Sequence, residues 1–184
     1  MRHVTATPSV RVFVALGLSA VLLSGAASVV AQDATPAPTT LVEAVRQATA
    51  PFPDPTSAEA AGYVPMNGCV SSPQDGAMGM HYLKPELVGD GELDAAHPEA
   101  LIYALQDGEV GFAGVEYLVL AEDWDASHDG PPILMGQLFN LVGAPNRYRN
   151  PAFYELHVWA GQDNPHGMFA DWNPTVSCAD VVGE

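Results

Sequence analysis

From residue 77 onward, apolar residues occur in short runs that are separated by Gly, Pro, Asn and Asp. Runs of this length between turn residues predict β-strands. Five strands are predicted, at residues 77–83, 101–106, 111–120, 133–141 and 152–160. The dipeptide Asp107-Gly108 separates the second strand from the third and is typical of a two-residue β-hairpin. These two strands are therefore expected to pair antiparallel.

Before the strands, two stretches carry the signals of short helices. Thr40 is followed three residues later by Glu43, which is a capping-box pattern, and Pro51 ends the first helix. Thr56 and Glu59 repeat the pattern for a second helix. Two helices followed by strands with mostly hairpin-length connections predict an α+β fold. We expect the helices to precede a mainly antiparallel, curled sheet of about five strands.

The first 31 residues have the pattern of a secretory signal peptide. Arg2 and Arg11 precede a long apolar run, and Val29 and Ala31 stand at the positions that small residues occupy before a cleavage site. An uncleaved membrane anchor is the alternative, because the run approaches the length of a membrane-spanning helix. The small residues at the end of the apolar run favour cleavage. We therefore predict a secreted or extracytoplasmic protein with no stable membrane anchor after cleavage.

The rest of the chain divides into a linker and a single domain. Residues 32–40 are rich in Pro, Thr and Ala and have too few large apolar side chains to form a core. Residues 41–184 are numerous enough for one domain with its own hydrophobic core. We therefore predict one α+β domain after the linker.

Cys69 and Cys178 are the two cysteines of the chain. An even cysteine count in an exported protein favours a disulfide. Free or metal-binding thiols are the alternative, but such thiols usually have closer spacing, as in C-x-x-C. We predict that the Cys69–Cys178 disulfide attaches the C-terminal segment to the start of the domain.

The charge balance is strongly acidic. The chain has 22 acidic and 6 basic residues and a net charge of −16. Without Arg2 and Arg11 the net charge would be about −18. Nucleic acids and anionic membrane surfaces require a basic surface, so the charge argues against both partners. An acidic field attracts cations and also keeps an exported protein soluble.

Four of the predicted strands place a polar side chain in the middle of an otherwise apolar face. These residues are His81, Glu116, Gln137 and His157. Because side chains alternate along a strand, Glu155 and Trp159 share the face of His157. A buried polar group is costly unless it has a partner. We therefore expect His81, Glu116 and His157 to approach one another on one side of the sheet.

Three interpretations of this cluster stay open from the sequence. In the first, His81, Glu116 and His157 bind a divalent metal such as zinc, since two imidazoles and a carboxylate make a suitable ligand set. In the second, the face forms a pocket for a small molecule, with Gln137 and Glu155 as polar contacts and Trp159 as a wall. In the third, the polar groups only satisfy one another, as they would in a structural or interaction protein.

Known catalytic patterns are scarce in this sequence. It has no G-x-S-x-G, no P-loop and no G-x-G-x-x-G that opens a helix after a strand. The sequence therefore favours an exported acidic binding domain over an enzyme, and no catalytic residue is assigned. The alternative is metal-assisted or acid–base hydrolysis by His81, Glu116 and His157.

Several motifs resemble those of a family of exported bacterial proteins of uncharacterised activity. The motifs are AEAAGYV, MGMHY, GVEYLV, MGQLF, LHVWAGQDNPHGMFADWNP and the closing SC. The resemblance extends from about Ala48 to Cys178 and is densest between Leu156 and Pro174. It implies export and a single domain, and it carries no activity, cofactor or catalytic residue with it.

Overall fold

The computed structural model describes residues 38–179 and residue 181. The predicted signal peptide and residues 32–37 of the predicted linker lie outside this range. The helices are α1 (Leu41–Thr49), α2 (Pro55–Ala60), α3 (Pro85–Val88) and α4 (Ala121–Asp125). The strands are β1 (Val64–Ser72), β2 (Gly76–Leu83), β3 (Ala100–Gln106), β4 (Glu109–Leu120), β5 (Ile133–Leu134), β6 (Gln137–Leu138), β7 (Asn140–Val142) and β8 (Phe153–Val158).

Six of these strands form one curled sheet. Its spatial order is β1-β2-β3-β4-β8-β7, and every neighbouring pair is antiparallel. The first four strands follow one another in chain order, and β8 then pairs with β4. Strands β5 and β6 form a separate two-stranded hairpin. The predicted α+β class with a mainly antiparallel, curled sheet is confirmed.

The two N-terminal helices begin at capping boxes. Thr40 and Glu43 form the predicted box at the start of α1. For α2 the prediction was wrong, because the box consists of Asp54 and Ser57. Pro55 is the reason: its fixed φ suits the first helical position, so the helix begins right after Asp54.

Helices cover one face of the sheet, and the opposite face carries a different set of side chains. Helices α1 and α2 pack on alternate residues of β3, β4 and β8, which form the main hydrophobic core. This core includes Leu41, Val45, Ala58, Leu101, Tyr103, Val115, Tyr117, Leu156 and Val158. The intervening residues of the same strands point to the opposite face, as the period of two requires. The polar residues singled out in β4 and β8 lie on that opposite face.

Two segments differ from the predicted strands. The single strand predicted at 133–141 is instead the β5–β6 hairpin followed by β7, because Met135 and Gly136 turn the chain with φ of +47° and +87°. Strand β1 was not predicted, because Pro65 and Asn67 interrupt its apolar pattern. The backbone bulges between Met66 and Cys69, and this bulge accommodates the interruption.

The Cys69–Cys178 disulfide is present and joins residues that are 109 positions apart. It connects β1 to the segment that follows β8. Such bonds are typical of proteins that fold in an oxidising compartment. Separately, none of the helices in the part of the chain that the structure describes has the length and apolar character needed to cross a membrane.

Replacing both Cys69 and Cys178 with Ala should destabilise the protein. The disulfide limits the number of conformations that the unfolded chain can adopt. Its loss is therefore expected to lower the free energy of unfolding by about 2–5 kcal/mol. Urea unfolding of the reduced, oxidised and double-variant proteins measures this. Equal midpoints for all three would contradict the expectation.

Glu99 is a buried carboxyl group immediately before β3. It is 2% exposed, and its carboxyl oxygen accepts a hydrogen bond from the backbone N–H of Leu118 at 3.2 Å. Burial raises the pKa of Glu99 to about 8, and the hydrogen bond from Leu118 only partly opposes this. The folded state therefore holds the Glu99 proton more tightly than the unfolded state does.

Glu99→Gln should remove a pH-dependent loss of stability. The stabilisation from the Glu99 proton is complete below the ordinary pKa of 4.5 and is lost as the pH rises to about 8. Gln keeps the acceptor for Leu118 and has no proton to lose. We expect the stability of the variant relative to the wild type to rise by up to roughly 5 kcal/mol across this range.

Urea unfolding of the wild type, Glu99→Gln and Glu109→Gln at a series of pH values measures this difference. Glu109 is exposed in the β3–β4 hairpin, so its variant is the control. A stability difference between Glu99→Gln and wild type that does not change with pH would contradict the raised pKa.

Candidate metal centre

The strand register brings the three predicted residues together. Glu116 of β4 stands directly opposite His157 of β8, and Ala100 of β3 stands opposite Glu116 on its other side. His81 of β2 pairs with Ile102, two residues along from Ala100. Across β3, His81 Nε2 reaches within 3.5 Å of Glu116 Oε2. The predicted approach of His81, Glu116 and His157 is confirmed.

The three side chains converge on one point. His81 Nε2 lies 3.5 Å from His157 Nε2 and 3.5 Å from Glu116 Oε2. The two imidazole rings are edge to face, with centroids 5.8 Å apart. His157 is 0% exposed, His81 6% and Glu116 7%. This is a buried His–Glu–His cluster on the face opposite the helices.

The spacing of the ligand atoms suits a metal ion. Zinc binds imidazole nitrogen and carboxylate oxygen at about 2.0–2.2 Å, and the ligands of a tetrahedral ion are then about 3.4 Å apart. The two 3.5 Å separations from His81 Nε2 match that edge length. His81, Glu116 and His157 could therefore hold a metal together. A tetrahedral ion would keep a fourth position for water or another ligand.

The other ring nitrogen of His157 faces a group that could orient it. His157 Nδ1 lies 3.7 Å from Asp171 Oδ1, which is beyond hydrogen-bonding distance. Asp171 in turn accepts a hydrogen bond from the side-chain amide of Asn140 at 3.2 Å. Neither His157 Nδ1 nor His81 Nδ1 makes a hydrogen bond within the described residues, although both atoms are buried.

Asp171 was missed by the sequence analysis. It lies in the DWNP segment, whose composition indicates a turn, and nothing in its spacing connects it to His157. Glu155, His157 and Asp171 form a second group whose ligand atoms could hold a cation. His157 thus presents one ring nitrogen to His81 and Glu116 and the other to Asp171.

The two histidines have opposite electrostatic surroundings. Burial lowers the pKa of His81 to about 4, and the Glu116 carboxylate only partly opposes this. Burial also disfavours the charged form of His157, but Asp171, Glu116 and Glu155 outweigh it and raise the pKa of His157 to about 9. At neutral pH, His81 is therefore neutral and His157 carries a proton.

The carboxyl groups near His157 are also shifted. Burial raises the pKa of Glu155 to about 8, against the opposing effect of His157. Burial acts in the same direction on Asp171, but its interaction with His157 outweighs burial and lowers the pKa of Asp171. Asp171 is therefore the ionised partner of His157 at neutral pH.

A cavity of about 270 Å³ adjoins the cluster. His81, Glu116 and Glu155 line it together with apolar residues of β1, β2, β4 and β8. Of the three predicted pocket residues, only Glu155 lines this cavity. Trp159 packs beside the disulfide and donates a hydrogen bond to the Ala170 carbonyl. Gln137 lies in the β5–β6 hairpin and is not among the lining residues.

Comparison with known proteins gave no match to a family model, to a curated protein or to a solved structure. The case for function therefore depends on the chemistry of the cluster and on the cavity beside it.

Asp171→Asn should lower the pKa of His157. The Asp171 carboxylate is one of the groups that raise this pKa to about 9, and an amide supplies no negative charge. Histidine NMR titration of chelator-treated protein measures the shift. His97 is the internal reference, since its Nδ1 lies 2.7 Å from Asp94 on the surface. A His157 pKa that stays near 9 in the variant would contradict the assigned role of Asp171.

Proposed function

We propose that this protein is an exported binding domain whose His81–Glu116–His157 cluster binds one divalent metal ion, with zinc as the ion that best suits the ligands. The observation that carries the proposal is that two imidazole nitrogens and a carboxylate oxygen lie within 4.8 Å of one another in a buried site, with His81 Nε2 3.5 Å from each of the other two. Two imidazoles and one carboxylate are a common zinc ligand set.

The contacts within the cluster favour an ion over a purely structural network. Buried polar groups in a structural network normally have hydrogen-bond partners. Here the contact between the two imidazoles, from His81 Nε2 to His157 Nε2 at 3.5 Å, is long for a hydrogen bond. A metal on both Nε2 atoms would fix each ring with its Nδ1–H directed outward, and for His157 this direction is toward Asp171.

The export part of the proposal rests on other features. The N-terminal sequence has the signal-peptide pattern, and the disulfide suits an oxidising compartment. The acidic balance of the chain would also attract divalent cations to the molecule before they enter the site. The resemblance to exported bacterial proteins supports the same localisation.

A metal-assisted hydrolase is the second candidate, and Glu155 is the observation that favours it. Glu155 lines the cavity next to the cluster, where it could take a proton from water on the ion's fourth position. Zinc-loaded protein would then hydrolyse small esters, and Glu155→Gln would abolish this while the zinc content stays the same. Equal rates for wild type and variant would remove the candidate.

The wild-type protein should bind one zinc ion per chain, and His157→Ala should weaken that binding by roughly a hundredfold or more, because a ligand is lost. Elemental analysis of protein purified without chelator gives the stoichiometry, and calorimetric titration of chelator-treated protein gives the affinity. Zinc at about a hundred times its Kd should also raise the free energy of unfolding by about 2.7 kcal/mol.

His97→Ala is the matched control. His97 is an exposed histidine that pairs with Asp94, so its loss tests whether zinc simply collects on acidic surface sites. We expect the control to bind zinc as the wild type does. Equal weakening in both variants, or wild-type affinity in His157→Ala, would contradict the proposed site. Circular dichroism of each variant establishes that it is folded.

A further inference from the structure

The cavity beside the cluster has apolar walls and a polar end. Its walls include Met66, Val70, Leu118, Leu120 and Phe153. The polar end is formed by His81, Glu116 and Glu155, all of them buried. Asn67 and Pro151 also line the cavity and are exposed, so its mouth opens between the β1 bulge and the segment before β8.

The polar end carries more acidic than basic side chains. Three carboxyl groups, those of Glu116, Glu155 and Asp171, share the region with two imidazoles. The nearby Arg147 does not compensate, because its guanidinium lies over the Trp172 ring and donates to the Ser71 carbonyl. Among the described residues, Glu155 forms no ion pair within 4.0 Å.

We propose that this cavity binds a small, largely apolar amine, with the nitrogen directed to Glu155 and Glu116. An ammonium group at the polar end can donate hydrogen bonds to the carboxyl oxygens of Glu155 and Glu116. Its positive charge also favours the ionised form of Glu155, which otherwise holds a proton at neutral pH, whereas an organic acid has the opposite effect. If the cluster holds a divalent ion, as proposed above, the same nitrogen in its neutral form is a suitable donor for the fourth position. The first of these interactions does not require the metal.

The volume sets the size of the ligand. An apolar cavity of about 150 Å³ holds a benzene molecule, and this cavity is about 270 Å³. An aromatic ring with a two-carbon chain and an amino group is therefore of suitable size. The ring would contact the apolar walls, and the amino group would reach the polar end.

The test compares three probes of similar shape on chelator-treated protein: 2-phenylethylamine, propylbenzene and 3-phenylpropionate. The amine should bind at least roughly tenfold more tightly than either of the others, because its charge gains a buried partner. NMR of protein with ¹³C-labelled methionine methyl groups locates the binding. Met66 and Met78 line the cavity and should shift, whereas the exposed Met135 of the β5–β6 turn should not.

Two variants measure separately the contributions of the ligand's amino group and of the apolar walls to binding. Glu155→Gln should weaken binding of the amine by about tenfold and leave binding of propylbenzene unchanged. Leu118→Phe fills the cavity and should weaken both. Glu109→Gln, on the exposed β3–β4 hairpin, is the control for a general loss of negative charge. The probe series on wild-type protein remains decisive if a variant does not fold.

Any of four results would overturn the inference: no shift of Met66 and Met78 with the amine, equal affinity for amine and hydrocarbon, tighter binding of the acid, or an unchanged amine affinity in Glu155→Gln. Because the probe series uses metal-free protein, its result does not depend on whether the protein binds zinc. Conversely, a protein that does not bind the amine could still bind zinc at the cluster.

Discussion

Two imidazoles and two carboxyl groups are buried on an otherwise apolar sheet face, and the rest of the site depends on how they are partnered. An unpaired buried polar group costs on the order of a few kcal/mol, and an unpaired charge costs more. The β4–β8 register places Glu116 opposite His157, so that these groups meet instead of being isolated. The proposed metal ion and the proposed amine would each supply these buried side chains with a further binding partner.

The segment after β8 contributes to the same site through the fold. It returns to the sheet at the bridge between Ala77 and Asn173, and it is then attached to β1 by the Cys69–Cys178 disulfide. Gly76 has no side chain, and a Cβ there would collide with the backbone of Asn173, so the close approach requires glycine. This return path keeps Asp171 near His157. The disulfide attaches the segment that carries Asp171 to the sheet, and Asp171 in turn affects the charge of the cluster.

The sequence predicted those features that depend on local periodicity. Alternation along the strands was sufficient to place Glu116, Glu155 and His157 on one face, and Asp107-Gly108 marked the β3–β4 hairpin. It failed where the backbone departs from regular geometry. Strict alternation from His81 puts Met78 on the opposite face, yet both line the cavity, because Gly79 interrupts β2 with a φ of +91°.

Other parts of the site depend on tertiary contacts that no local pattern records. Asp171 reaches His157 only through the return of the last segment, and the cavity exists only where β1 and the chain before β8 come together. Gln137 and Trp159 were assigned to the pocket from alternation alone. Gln137 instead follows a turn at Met135 and Gly136, and Trp159 packs beside the disulfide. Neither residue lines the cavity.

The most direct test of the central claim is a crystal structure of the zinc-treated protein with anomalous data collected at the zinc absorption edge. The account predicts one strong anomalous peak about 2.0–2.2 Å from His81 Nε2, His157 Nε2 and a Glu116 carboxylate oxygen. Zinc bound only elsewhere, for example between the exposed Asp94 and His97, with no peak at the cluster, would contradict it.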